Sequence, residues 1–369
     1  MGKFIPFLII ILLVSCKEPQ TPQQMLLGNW VFAKTLNQPS YKWLLNNHSG
    51  YEFSANKVCN FKQGFFESKM LVDTAGNRNN FVDYLGTETR YELRKDSLKV
   101  FDLSEKKWDS FKIKKLTADT LIIGHKSSWS VYTKKEYEID NNVPDFDEII
   151  VSNSGCFGSC PMNDIRINRN GNVVFYGYFN NIKDGVFTSH ITKKDFEYIE
   201  NKFKIANYNK LSNHYYSSVT DNSTTSITFL KNGKILKTID DYANNSPLEF
   251  VWAYTPLKYI SQDLELVPEK HTGYFTFSFY ASYNTKNTRL DLTGSEKFLL
   301  MNSLENSRES HKIFHETYSI EFYENKEEIS ITTDGRFYKF YFKDKTTKTV
   351  DMGYNFLTEN KLSNTFQKR

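Results

Sequence analysis

No block of one charge occurs along the 369 residues: 47 basic and 43 acidic side chains are interspersed and leave a formal net charge of +4. A stripe able to track nucleic-acid phosphates is missing, so nucleic acid is not an expected partner. The motifs of common enzymes are missing too. The chain has no Gly-x-Ser-x-Gly elbow, no glycine-rich phosphate cradle and no paired-carboxylate setting, which favours a non-catalytic protein without a cofactor. Cysteine is scarce, with four residues and no second closely spaced pair to complete a zinc site. No repeat of fixed period is present. Apolar runs are short: the one over residues 4–13 is stopped by Lys17, Glu18 and Pro19, short of the roughly 18 residues needed to cross a bilayer. Alanine is sparse, whereas 30 Phe and 23 Tyr raise the aromatic share to 16%. That balance favours strands over helices, and a mainly β fold with α+β parts is expected.

The short apolar run has a meaning of its own. It follows Lys3 and ends in Leu13-Val14-Ser15-Cys16, and a positive start, an apolar stretch, small residues and a cysteine together resemble a bacterial lipoprotein signal peptide. The resemblance implies a leader over residues 1–16, lipidation at Cys16, and a protein held to the membrane of a bacterial cell envelope. The outer membrane is the expected site, with the protein facing the periplasm or the surface. Lys17-Glu18 resembles the charged surface-export signal of Bacteroidetes lipoproteins. Residues 17–24, polar and bearing two prolines, suit a tether.

The remaining length exceeds what one core usually organises, and three units are expected. Residues 25–135 carry short strands near 30–34, 50–53, 90–93, 98–101, 108–114, 120–123 and 129–132, separated by polar turns, a spacing that indicates a small barrel or sandwich. Leu27-Gly28-Asn29-Trp30, Tyr91-Glu92-Leu93 with Leu98-Lys99-Val100, Leu116 to Leu121 and Val131-Tyr132 resemble the lipocalin-like domains of small bacterial lipoproteins. This implies an antiparallel barrel with Trp30 as a structural plug at one end. Residues 136–147, acidic and holding Pro144, read as a linker.

Residues 148–266 read as an α+β unit. Asn170-Gly171 and Asn232-Gly233 each sit between alternating runs and mark hairpins, since both turn residues tolerate positive φ. Thr192 is placed to cap a helix carrying Phe196, Ile199 and Phe203 at helical spacing, and a second helix is expected over 247–260. Residues 267–369 read as a smaller α+β unit with Phe275, Phe277 and Phe279 on one strand face, a helix over 295–304 and a hairpin at Asp334-Gly335.

Cys156-Phe157-Gly158-Ser159-Cys160-Pro161 is the sharpest motif. In an exported chain a local cysteine pair defaults to a disulfide, and a turn containing glycine can bring the two Cα atoms close enough. The alternative is thiol-redox or copper chemistry: Cys-x-x-x-Cys-Pro resembles the loop of the copper chaperones of cytochrome oxidase assembly, with His190 or His214 as a further ligand beside Cys156 and Cys160. Against it, Pro161 leads into a strand rather than a helix. Cys59, in the alternating Val58-Cys59-Asn60-Phe61, reads as a buried, inert thiol. The loop, with Ile165-Arg166-Ile167, Asn170-Gly171-Asn172-Val173, Tyr176-Gly177 and Ile239-Asp240-Asp241-Tyr242, resembles an uncharacterised bacterial domain family, DUF6438, over residues 147–262. That resemblance implies a fold and no activity. Asp221, Asp240 and Asp241 fall near its acidic positions, where turn and strand-end roles are weighed against a shared cation site.

His311 and His315 have the four-residue spacing of one helical face but lack the glutamate of a zinc protease, which favours solvated histidines. Tyr274, Tyr280, Tyr338 and Tyr341 could stack on a glycan or anchor a protein partner, although rings on sheets usually pack against one another. Together these features describe a lipid-anchored envelope protein acting as a non-catalytic binding or interaction module, with thiol-redox or copper handling as the alternative.

Overall fold

Strands with one apolar face must bury it, and the first unit does so by closing on itself. The computed structural model describes residues 20–36, 48–72, 78–125, 128–269, 281–322 and 330–369. Cys16, the rest of the expected leader, and the strand expected at Tyr274–Tyr280 lie outside the described residues.

The first unit contains β1 (Gly28–Leu36), β2 (Gly50–Phe53), β3 (Val58–Phe61), β4 (Phe66–Val72), β5 (Arg78–Tyr84), β6 (Glu88–Leu93), β7 (Ser97–Asp102), β8 (Lys107–Leu116), β9 (Thr120–His125) and β10 (Ser128–Lys135). Eight of them form a closed antiparallel barrel in the order β1-β10-β9-β8-β7-β6-β3-β2, while β4 and β5 pair only with each other as a separate hairpin. Inward residues fill the barrel: Trp30, Tyr51, Phe53, Tyr91 and Tyr132 are all buried, and Cys59 is fully so. One end is closed by α1 (Pro22–Leu26), whose Leu26 carbonyl accepts a 2.6 Å bond from Trp30 Nε1. Trp30 is the expected structural plug.

The second unit is an eight-stranded sheet built from β11 (Glu148–Asn153), β12 (Met162–Asn168), β13 (Asn172–Phe179), β14 (Gly185–His190), β15 (His214–Tyr215), β16 (Thr224–Lys231), β17 (Lys234–Tyr242) and β18 (Val267–Pro268), in the order β15-β17-β16-β11-β12-β13-β14-β18. Both Asn-Gly turns are present, with Gly171 at φ 88° and Asn232 and Gly233 at φ 51° and 74°. One face is apolar. Ile149, Val151, Ile165, Ile227 and Phe229 pack under α2 (Lys193–Ile205) and α3 (Leu248–Lys258). Thr192 caps α2 through a reciprocal capping box with Asp195. Residues 136–147, expected as a linker, contribute Val143 and Phe146 to this core, and Phe146 is fully buried among rings from α2 and β16. Acidic neighbours in the chain conceal these two core side chains.

The third unit contains β19 (Ala281–Asn284), β20 (Thr288–Leu292), α4 (Gly294–Glu305), β21 (Arg308–Glu309), β22 (Tyr318–Phe322), β23 (Ser330–Thr333), β24 (Phe337–Tyr341), β25 (Thr347–Asp351), α5 (Phe356–Glu359) and β26 (Gln367–Lys368). Its sheet runs β21-β25-β24-β23-β22-β19-β20-β26. Helix α4 lies between this sheet and the second face of the central one and is buried almost all round: Phe298, Leu299, Leu300, Met301 and Leu304 join a core shared with Ile150, Tyr176 and Leu230. Gly294 makes this approach feasible, because a Cβ there would lie 2.5 Å from Ser152 Oγ. Val267–Pro268, placed at the start of the third unit from the sequence, is an edge strand of the central sheet.

Candidate functional site

The cysteine loop joins β11 to β12 at one end of the central sheet, and its cysteines form a disulfide with Cα atoms 5.6 Å apart. Beneath it lies a ladder of buried amides: Thr225 Oγ1 donates to Asn153 Oδ1 (3.2 Å), Asn153 Nδ2 to Asn163 Oδ1 (2.7 Å), and Asn163 Nδ2 to Asn181 Oδ1 (2.9 Å) and the Lys258 carbonyl (3.1 Å). Asn181 Nδ2 in turn donates to the Met162 carbonyl. A satisfied buried network of this kind fixes one geometry. From above, Asn180 Nδ2 donates to the Cys160 carbonyl at 3.2 Å and the Phe157 amide to the Asp221 carbonyl at 3.2 Å.

The loop held in this way points an apolar ring into solvent. Phe157 is 91% exposed, and Phe179 at the end of β13 and Ile182 in the turn that follows are partly exposed. Facing Gly158, Ser159 and Asn180 across a concavity of about 470 Å³ are Lys69, Met70 and Asn80 of the β4–β5 hairpin. Met70 is exposed as well. The hairpin is itself anchored, since Phe66 and Tyr84 pack with Tyr259 at the end of α3, with ring centroids 5.3–5.5 Å apart, and Gln262 bonds the backbone of Val82 and Tyr84.

The other residues singled out from the sequence are not gathered here. His190 pairs with Asn172 at the opposite end of β13, about 20 Å along the strands from Met162 beside Cys160. His214 lies on β15, three strands from β11 in sheet order, or about 14 Å. Neither stands where a third copper ligand would be needed, and the thiols are joined in a disulfide. Asp240 and Asp241 are successive strand residues and so point to opposite faces. Asp241 is fully buried and accepts from the Asn245 and Ser246 amides, Ser246 Oγ and Tyr254 OH, which makes it the clamp of the turn before α3. Asp221 takes a positive φ in an exposed turn. The three carboxylates share no site, and among the described residues no His, Cys, Asp or Glu cluster is poised for a metal.

His311 and His315 are exposed and lie on a segment without helical structure. Tyr338 is buried, its hydroxyl 2.7 Å from that of Tyr283, and Tyr341 donates to Glu316 at 2.9 Å. Tyr274 and Tyr280 lie outside the described residues. Met70 and the hairpin bearing it are missed by the sequence reading, because neither Phe66–Val72 nor Arg78–Tyr84 alternates regularly between polar and apolar residues.

Residues 147–261 match a family described as a domain of unknown function, DUF6438. None of the curated proteins matches the chain. Among solved structures, a lipocalin-like protein from Bacteroides uniformis is similar at 15% identity and a TM-score of 0.20, covering 30% of this chain and 99% of its own length. An uncharacterized protein from Bacteroides eggerthii is similar at 12% identity and a TM-score of 0.20, with the same coverage. The closed barrel rests on its own strand order and needs no support from these neighbours.

Proposed function

We propose that the protein is a lipid-anchored component of a bacterial cell envelope and works as a binding module, presenting the disulfide loop and the β4–β5 hairpin to a protein partner. The observation that carries this reading is Phe157, 91% exposed at the tip of a loop closed by a disulfide and seated on a buried amide ladder. An open phenylalanine adds nothing to the fold, whereas a rigid apolar knob binds without the entropy loss of ordering a loop. Met70, Phe179 and Ile182 supply the apolar surround of such a contact, and Lys69 and the asparagines its polar rim. The leader ending at Cys16 supports tethering at the membrane.

Two measurements test the two halves. Cys16→Ser should move the protein from the membrane to the soluble fraction and remove the lipid mass; unchanged retention ends the anchoring half. A photoreactive side chain introduced at position 157 should give a discrete protein adduct in cells that Met70→Asp removes. Adducts identical to those from the exposed position 198, or none, would end the binding half.

A further inference from the structure

A second concave surface lies away from the loop, where the outer wall of the barrel meets α2 and α3. It encloses about 310 Å³, at the lower end of small-molecule pocket sizes. Ile199 and Ile205 of α2 and Trp252, Pro256 and Leu257 of α3 make an apolar floor. The walls are held apart by specific contacts. Trp252 Nε1 donates to the His48 carbonyl at 2.7 Å, His48 Nε2 lies 2.6 Å from the Asn244 carbonyl, and at the other rim Lys135 and Tyr137 bond Glu249 Oε1 at 2.5 and 3.0 Å. Gly50 lets the barrel approach this closely, since a Cβ there would lie 2.6 Å from the Trp252 ring.

The cleft is lined by two cations, Lys62 and Lys202, and two carboxylates, Glu52 and Glu249, but Lys135 enters from the rim as a third cation. Glu249 is taken by Lys135, and Glu52 is paired with Lys62, whose side chain is only 9% exposed. Lys202 is left over. Its ammonium lies 4.9 Å from the centre of the Tyr198 ring and has no carboxylate partner among the described residues. An apolar floor beside one cation without a carboxylate partner complements a small molecule with an apolar body and a single negative charge.

We infer that this cleft binds a small amphipathic monocarboxylate, its chain or ring on the α2–α3 floor and its carboxylate at Lys202. The site is separate from the loop surface and stands or falls independently of it. The test is titration calorimetry of the full chain with 4-phenylbutyrate and with its neutral isostere 4-phenylbutyramide. One saturable site is expected for the acid, with the amide weaker by about ten-fold, the factor that one charge-assisted hydrogen bond supplies. Lys202→Met should abolish that preference while leaving the melting temperature unchanged, because Lys202 has no ion pair to lose, and Lys202→Arg should retain it. Equal binding of acid and amide, absence of saturable binding up to the solubility limit, or a preference that survives Lys202→Met would overturn the assignment.

Discussion

Phe146→Ala should be among the most damaging single changes in the chain, although it falls in a stretch that looks like a linker. The ring is fully buried, with the rings of Phe196, Phe203, Tyr208 and Phe229 centred 5.7, 6.3, 5.8 and 5.1 Å away. Its backbone is held too, the amide donating to Glu200 Oε1 and the carbonyl accepting from Arg169, which also pairs with Glu200. These neighbours belong to separate elements, so they cannot collapse into the space left by truncation. Loss of a buried phenylalanine then costs about 3–5 kcal/mol. For a unit of this size that corresponds to a fall in melting temperature of about 6–20 °C, at about 2–4 °C per kcal/mol. Near-UV circular dichroism through a thermal melt measures it. Phe157→Ala is the internal control: the same residue type, 91% exposed, whose removal should change stability by less than about 0.5 kcal/mol. Similar melting temperatures for the two variants would refute the assignment of residues 136–147 to the core.

Replacing Cys156 and Cys160 together by serine opens a five-residue loop, and chain entropy gives a loss of about 2 kcal/mol, with the sheet intact by far-UV circular dichroism. A larger loss, or unfolding, would mean that the loop organises the sheet. Cys59 is fully buried and burial pushes its thiol above the ordinary range, so maleimide should label it only after denaturation; rapid labelling of the native protein would contradict the filled barrel. His214 lies 3.8 Å from Asp240, whose carboxylate raises the imidazole above its usual 6.5. The folded state therefore holds the proton to higher pH than the unfolded chain, and the pair's contribution is complete below about pH 6.5 and lost as pH rises past the raised value. With the ring half exposed it amounts to less than about 1 kcal/mol. The difference in stability between pH 5.5 and 8.5 should shrink in His214→Gln, and an unchanged profile would refute the coupling.

Features that depend on a few neighbouring residues are legible in the amino-acid sequence alone. Strand alternation places β2, β6, β7, β9 and the turns at Asn170-Gly171, Asn232-Gly233 and Asp334-Gly335, because period two and a tolerance of positive φ are local properties. Thr192 and the spacing of Phe196, Ile199 and Phe203 mark α2 for the same reason. The cysteine pair is readable as a disulfide from its close spacing around a glycine and from the exported compartment that the sequence leads one to expect.

Packing decides the rest. Acidic composition hides Phe146, whose burial depends on rings contributed from up to about 80 residues away in sequence. Asp240 and Asp241 look equivalent in the chain, and only the sheet sends one to a clamp beneath α3 and the other to the opposite face. Helix α4 is enclosed on all sides by two sheets, so its sequence carries no polar stripe from which to read an orientation. Both concave surfaces are made by elements far apart in sequence, the loop facing the hairpin and the barrel facing α2 and α3. Sequence periodicity reports which face of an element is buried, and the three-dimensional arrangement of the units decides what that face, and the one left open, will meet.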